Sequence, residues 1–221
     1  MKRILVLLMI AAAASAAPSP STKESLEAMK PAEALDRLKQ GNGRFLGGAA
    51  SPRDLKAQVK ATASGQYPFA AVLSCMDSRV PPELVFDQGI GDLFVVRVAG
   101  NVVDTDDLGS LEYATKVVGS KLILVMGHTS CGAVKGAIED VKLGNLTFLL
   151  EKIRPVVNAA GPGDVKDAAY VDRVAQANVR QTIREIREKS PVIRELTDSG
   201  KIGLAGAMYD VATGKVTFLA D

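Results

Sequence analysis

The chain has 221 residues, 47% of them apolar, with 27 Lys and Arg against 25 Asp and Glu and a net charge of +2. That length supports one ordinary domain with a substantial core, and the balanced charge leaves no electrostatic footprint for nucleic acid or an acidic partner. Trp is absent, and there are one His and two Cys, so any chemistry that needs soft ligands has few residues to draw on.

The chain opens with Lys2 and Arg3, an apolar run from Ile4 to about Ala14, and then Ala14-Ser15-Ala16. A basic start, a short apolar run and small residues at a cleavage position read as a signal peptide over 1–16. The run falls short of the ~20 residues of a membrane span; an uncleaved anchor is the alternative. Export to a bacterial periplasm is expected, with no membrane attachment after cleavage. Residues 17–24, rich in Pro and Ser, read as a flexible segment, and 25–221 as a single domain.

From Ser25 to Phe45, apolar residues Leu26, Met29, Ala32, Leu35 and Leu38 recur at helical spacing, predicting one or two helices broken near Pro31. GNGRFLGG (41–48) reads as a turn-rich segment and DLKAQVKATASGQ (54–66) as a short helix. FAAVLS (69–74), LFVVRVA (93–99) and LILVMGH (122–128) read as strands. Helices are expected over LGSLEYATKVVG (108–119), ended by Gly119, over CGAVKGAIEDVKLG (131–144), and as one long charged helix over 172–196. KIGLAGAMYD (201–210) and KVTFLAD (215–221) close the chain as strands around an ATG turn. This order predicts an α/β fold: a mainly parallel central sheet flanked by helices, with an edge hairpin at the C-terminus. In the long helix Arg173, Arg180, Arg184 and Arg187 interleave with Glu185, Glu188 and Glu195, which marks a solvated face rather than a nucleic-acid surface.

Two strand-end turns hold the rare residues. SCMDSRVPP (74–82) places Cys75, Asp77 and Arg79 at alternate positions after the first strand. GHTSCG (127–132) follows the third strand and opens a helix. His128 and Cys131 stand three apart there, so both side chains can converge, with Thr129 and Ser130 as suitable caps. Two thiolates and an imidazole are three ligands for Zn²⁺, with a fourth position left over, and sites in open α/β sheets form beyond the carboxyl ends of strands. In an oxidising compartment two cysteines default to a disulfide; that pairing, or a reactive thiol, is the alternative. Asp77 beside a metal would either ligate it or accept a proton, with Arg79 holding it ionised and oriented. A structural ion pair is the plainer reading.

These motifs resemble the β-class carbonic anhydrases: CMDSR resembles the family's Cys-x-Asp-x-Arg and HTSC its His-x-x-Cys, while DLFVVRVAGN and GSLEYA resemble the segments between. The similarity runs from about Ala32 to the C-terminus. It implies zinc held by Cys75, His128 and Cys131, an Asp77–Arg79 catalytic dyad, and reversible hydration of carbon dioxide to bicarbonate and a proton. From the chemistry of such a site, acid should favour a closed form with Asp77 as a fourth ligand and its bond to Arg79 broken. By the same resemblance Gln66 would donate to bound substrate, and Phe94 and Tyr113 would form apolar walls partly contributed by a neighbouring subunit. Gly132, having no side chain, would allow close approach to the backbone. The resemblance further implies a homodimer or homotetramer whose N-terminal helices, here Ser25–Phe45, pack on the partner. Some bacterial members hold inhibitory bicarbonate in a pocket of Trp, Arg and Tyr; Arg97 and Tyr209 match two of these, but Val72 stands at the Trp position. The alternatives are a COS or CS₂ hydrolase of the same fold, a non-catalytic zinc- or bicarbonate-binding protein, and a thiol redox protein, the last disfavoured by the lack of Cys-x-x-Cys.

Overall fold

The computed structural model describes residues 19–220. The signal peptide expected over 1–16 lies outside the described residues. Helix α1 (Lys23–Ala28) begins two residues inside the segment read as loose, because Thr22 and Ser25 cap it reciprocally. Pro31 then takes the first position of α2 (Pro31–Leu46), where its missing N–H costs nothing. The chain continues through α3 (Leu55–Thr62), β1 (Ala70–Ser74), α4 (Pro82–Val85) and β2 (Leu93–Arg97) to a 3₁₀ turn at Ala99–Asn101. Next come α5 (Thr105–Glu112), a π-helical turn (Tyr113–Val118), β3 (Leu122–His128), α6 (Gly132–Ile138), α7 (Gly144–Glu151) and α8 (Arg154–Ala160). Helices α9 (Ala168–Lys189) and α10 (Pro191–Asp198) precede the closing strands β4 (Gly203–Tyr209) and β5 (Val216–Phe218). No helix among the described residues is long and apolar enough to cross a membrane.

The sheet order is β2-β1-β3-β4-β5, with the first four strands parallel and β5 antiparallel to β4, as the strand–helix alternation predicts. β1 and β3 are central and wholly buried. Their alternate residues feed two cores. Ala71, Leu73, Ile123 and Val125 face α5 to α10, while Ala70, Val72, Leu122, Leu124 and Met126 face Leu26, Ala34 and Leu38 of the N-terminal helices.

Three expectations are corrected. Residues 41–46 are helix, not turn: a Cβ on Gly41 would sit 1.8 Å from the Phe86 carbonyl oxygen, so glycine here permits close packing of α2. Beside it, buried Asn42 donates to Val85 O (3.1 Å) and Gly214 O (3.0 Å) and accepts from Val216 N (2.9 Å), tying α2 to the terminal hairpin. The long helix expected over 172–196 is two helices, since Pro191 cannot continue α9 and Ser190 caps α10 through Ile193 N. Helix α6 stops at Ile138, and α7 and α8 occupy a stretch the sequence reading left unassigned.

Candidate metal centre

The site lies where the carboxyl ends of β1 and β3 meet. Cys75 follows β1 directly, His128 ends β3, and Cys131 is the N-cap of α6. The turn joining the last two is tight: Ser130 adopts φ 55°, with its N–H donating to Asp172 Oδ1 of α9 at 3.2 Å. All three side chains are buried, and their ligand atoms lie within 4.8 Å of one another. The two cysteines are free rather than disulfide-bonded. They share a hydrogen bond. Donation from the Cys131 thiol, together with backbone N–H groups, pulls the Cys75 thiol down to about 4, while the same bond and burial push Cys131 up.

The state of His128 bears on what the pocket could hold. Its Nδ1 lies 2.9 Å from Thr129 O, a contact that places the proton on Nδ1 and frees the Nε2 lone pair. Nε2 is buried with no hydrogen-bond partner, a costly state for a polar atom. An unpartnered imidazole nitrogen beside two thiols is a donor set that could hold a metal ion, and its N and S atoms suit zinc.

Asp77 and Arg79 form a hydrogen-bonded ion pair beside the cluster. Arg79 Nε and Nη2 donate to Asp77 Oδ1 and Oδ2 at 2.9 and 2.7 Å, and Arg79 N donates to Oδ1 at 3.0 Å. The Arg79 side-chain donors hold the Asp77 carboxyl well below the usual carboxylate range, against its partial burial. Asp77 Oδ2 is 3.9 Å from His128 Nε2, so the carboxylate faces the cluster while remaining bound to arginine. Arg97 donates to two backbone carbonyls of the same loop, Cys75 O (3.2 Å) and Asp77 O (2.5 Å). Its guanidinium thus shapes the turn, and Val72 beneath is buried in the opposite core.

The pocket residues are less tightly gathered. Phe94 and Tyr113 meet edge to face at 6.1 Å and line a cleft of about 550 Å³ with Ala71, Val96, Gly109 and Ala114. None of the three cluster residues lines that cleft. Tyr113 is half exposed and Gln66 is exposed. Gly132 is exposed, with open space where a Cβ would stand.

A family model described as carbonic anhydrase matches residues 70–216, which contain both strand-end motifs. The chain belongs to the β-class carbonic anhydrases. Carbonic anhydrase 2 of Mycobacterium tuberculosis is 38% identical over 190 residues, covering 84% of this chain and 91% of its own. Carbonic anhydrase of Mycolicibacterium smegmatis is 37% identical over 194 residues, covering 84% and 92%. Among solved structures, a tetrameric β-carbonic anhydrase of Sordaria macrospora superposes with a TM-score of 0.68 at 26% identity, covering 85% of this chain and 97% of its own.

The sequence reading missed the residues behind the cluster. Gly100 N donates to Cys75 Sγ at 3.4 Å, and α9 supports that glycine through Asn178. The signal was available. Asn178 and Thr182 are polar residues four apart within the apolar stripe Val171, Val174, Ala175, Val179 and Ile186, and both are buried.

Proposed function

We propose that this carbonic anhydrase hydrates carbon dioxide reversibly to bicarbonate and a proton at a zinc ion held by Cys75, His128 and Cys131. The observation that carries this reading is the buried, unpartnered Nε2 of the only histidine, set against two free thiols. Zinc bound there supplies the Lewis acidity that lets water ionise near neutral pH.

The chain's own residues do the rest. Asp77, kept ionised by Arg79, has no proton to give and acts as an acceptor. A hydrogen bond from the reacting water to Oδ2 fixes which lone pair faces carbon dioxide. Arg79 and Arg97 hold the Asp77 loop from both sides, one at the carboxylate and one at backbone carbonyls. The open space beside Gly132 admits substrate close to the backbone. Phe94, Tyr113 and Gln66 lie away from their own cluster or on the surface, which supports a role as walls of a neighbouring subunit's site in a homodimer or homotetramer. Edge strand β2 is half-buried and unpaired on its outer side among the described residues, which suits such pairing. Secretion rests on the leader-like first sixteen residues.

The test is Cys75→Ser. Metal content and the rate of carbon dioxide hydration should both collapse, with loss of thermal stability, because metal-binding energy is also folding energy. A variant that keeps wild-type hydration would overturn the assignment.

A further inference from the structure

The buried face of α9 reaches both halves of the metal site. Its Val179 packs so closely on β3 that a Cβ on Gly127, the residue before His128, would lie 2.7 Å from Val179 Cγ2. One step along the same helix, Asn178 is 1% exposed and donates from Nδ2 to Gly100 O at 2.7 Å. One turn further, Thr182 donates from Oγ1 to Asn101 O at 3.2 Å. Two consecutive carbonyls of the 3₁₀ turn are thus tied to one rigid helix. Both residues are left-handed, Gly100 at φ 68° and Asn101 at φ 45°, a conformation that glycine and asparagine accept more readily than other residues. On the other side of that turn, Gly100 N donates to Cys75 Sγ.

We propose that Asn178 is a positioning residue for the metal centre: by pinning the Gly100 carbonyl it aims the Gly100 N–H at the Cys75 sulfur and so sets that sulfur's orientation and its electron donation to the metal. The proposal rests on the zinc-site reading above. A sulfur that accepts a hydrogen bond is a weaker donor with lower-lying lone pairs. Losing the N–H raises those lone pairs, and the freed side chain is no longer oriented for ligation. The alternative is that Asn178 only satisfies a buried carbonyl, in which case its loss costs stability and leaves the sulfur's electronic state alone.

The two are separable in the full-length protein with cobalt(II) replacing zinc, where the sulfur-to-cobalt charge-transfer band reports on the ligating sulfur. In Asn178→Leu the band should move to lower energy, and zinc, measured by competition with a chelator, should be held about 10–100-fold more weakly. Thr182→Val, which removes the neighbouring and longer bond without changing side-chain shape, should shift the band in the same direction by less, and carries the test if Asn178→Leu does not fold. Gln181→Leu is the control: its amide donates to Lys152 O (3.0 Å) and Glu185 (2.8 Å), away from the site, so it should leave the band in place. A band that stays at the wild-type energy in the folded variants overturns the proposal, whatever happens to their melting temperatures. Wild-type protein that takes up no cobalt or zinc would instead overturn the metal-site reading itself.

Discussion

Gly127→Ala tests how closely the helix layer is pressed on the strand that delivers His128. Gly127 has ordinary backbone angles, so the change carries no conformational strain and its cost is steric. The added Cβ would meet Val179 Cγ2 at 2.7 Å and Met208 Sδ at 2.9 Å, against ordinary contacts of 3.4–4 Å. Met208 can yield, being unbranched and flexible. Val179 cannot, because it is fully buried and stiff at χ1 in a helix, so α9 itself must lift by several tenths of an ångström. Overpacking of this kind costs about 1–3 kcal/mol. Each kcal/mol is worth roughly 2–4 °C in a domain of this size. The melting temperature of Gly127→Ala should therefore fall by roughly 2–12 °C in differential scanning calorimetry. Gly43→Ala is the matched control: it sits mid-helix in α2 with nothing within 4 Å of the new Cβ. It should stabilise by about 0.5–1 kcal/mol through the unfolded chain alone. A Gly127→Ala protein that melts at or above the wild type would refute the reasoning.

Asp77→Asn should depress carbon dioxide hydration strongly while leaving zinc content nearly unchanged, since the carboxylate is engaged by Arg79 rather than grouped with the three ligands; full activity in the variant would remove the carboxylate from the mechanism. The only histidine is committed to the metal site, so no imidazole remains to carry protons to solvent. Turnover should climb with buffer concentration at fixed pH before reaching a plateau, and a high rate independent of buffer would reject this. Asp87, buried and bound by Arg53, Arg44 and Ser51, is held at about 2 because those donors outweigh the upward push of burial. Its folded-state value lies below the ordinary 3.8, so the stability it gives is present above pH about 4 and is lost as pH falls toward 2. Urea midpoints measured across that range should fall more shallowly with acid in Asp87→Asn than in the wild type.

Much of this was legible in the chain. The gathering of Cys75, His128, Cys131 and Asp77 could be read because rare residue types cluster at two strand ends, and the strands because near-continuous apolar runs such as LILVMGH mark fully buried parallel strands. Where the reading failed, tertiary contact overrode local signal. Gly41 and Gly43 look like a turn, yet α2 runs through them because the close approach to Phe86 rewards a helix without a side chain there. The break inside 172–196 is a failure of another kind: Ser190-Pro191 is a local signal, a cap followed by a residue that ends one helix and opens the next, and the charged periodicity on either side masked it. Gly100 was unreadable as a sulfur partner because a backbone N–H has no signature in sequence; only the buried polar pair Asn178 and Thr182 hinted that α9 held something.

The most direct test of the central claim is a zinc titration of metal-stripped protein followed by stopped-flow carbon dioxide hydration. Activity should rise in proportion to added zinc and break at about one equivalent per chain, with Cys75→Ser, His128→Ala and Cys131→Ser showing no such rise. Hydration that is independent of zinc, or zinc-replete protein that hydrates no carbon dioxide, would contradict that claim.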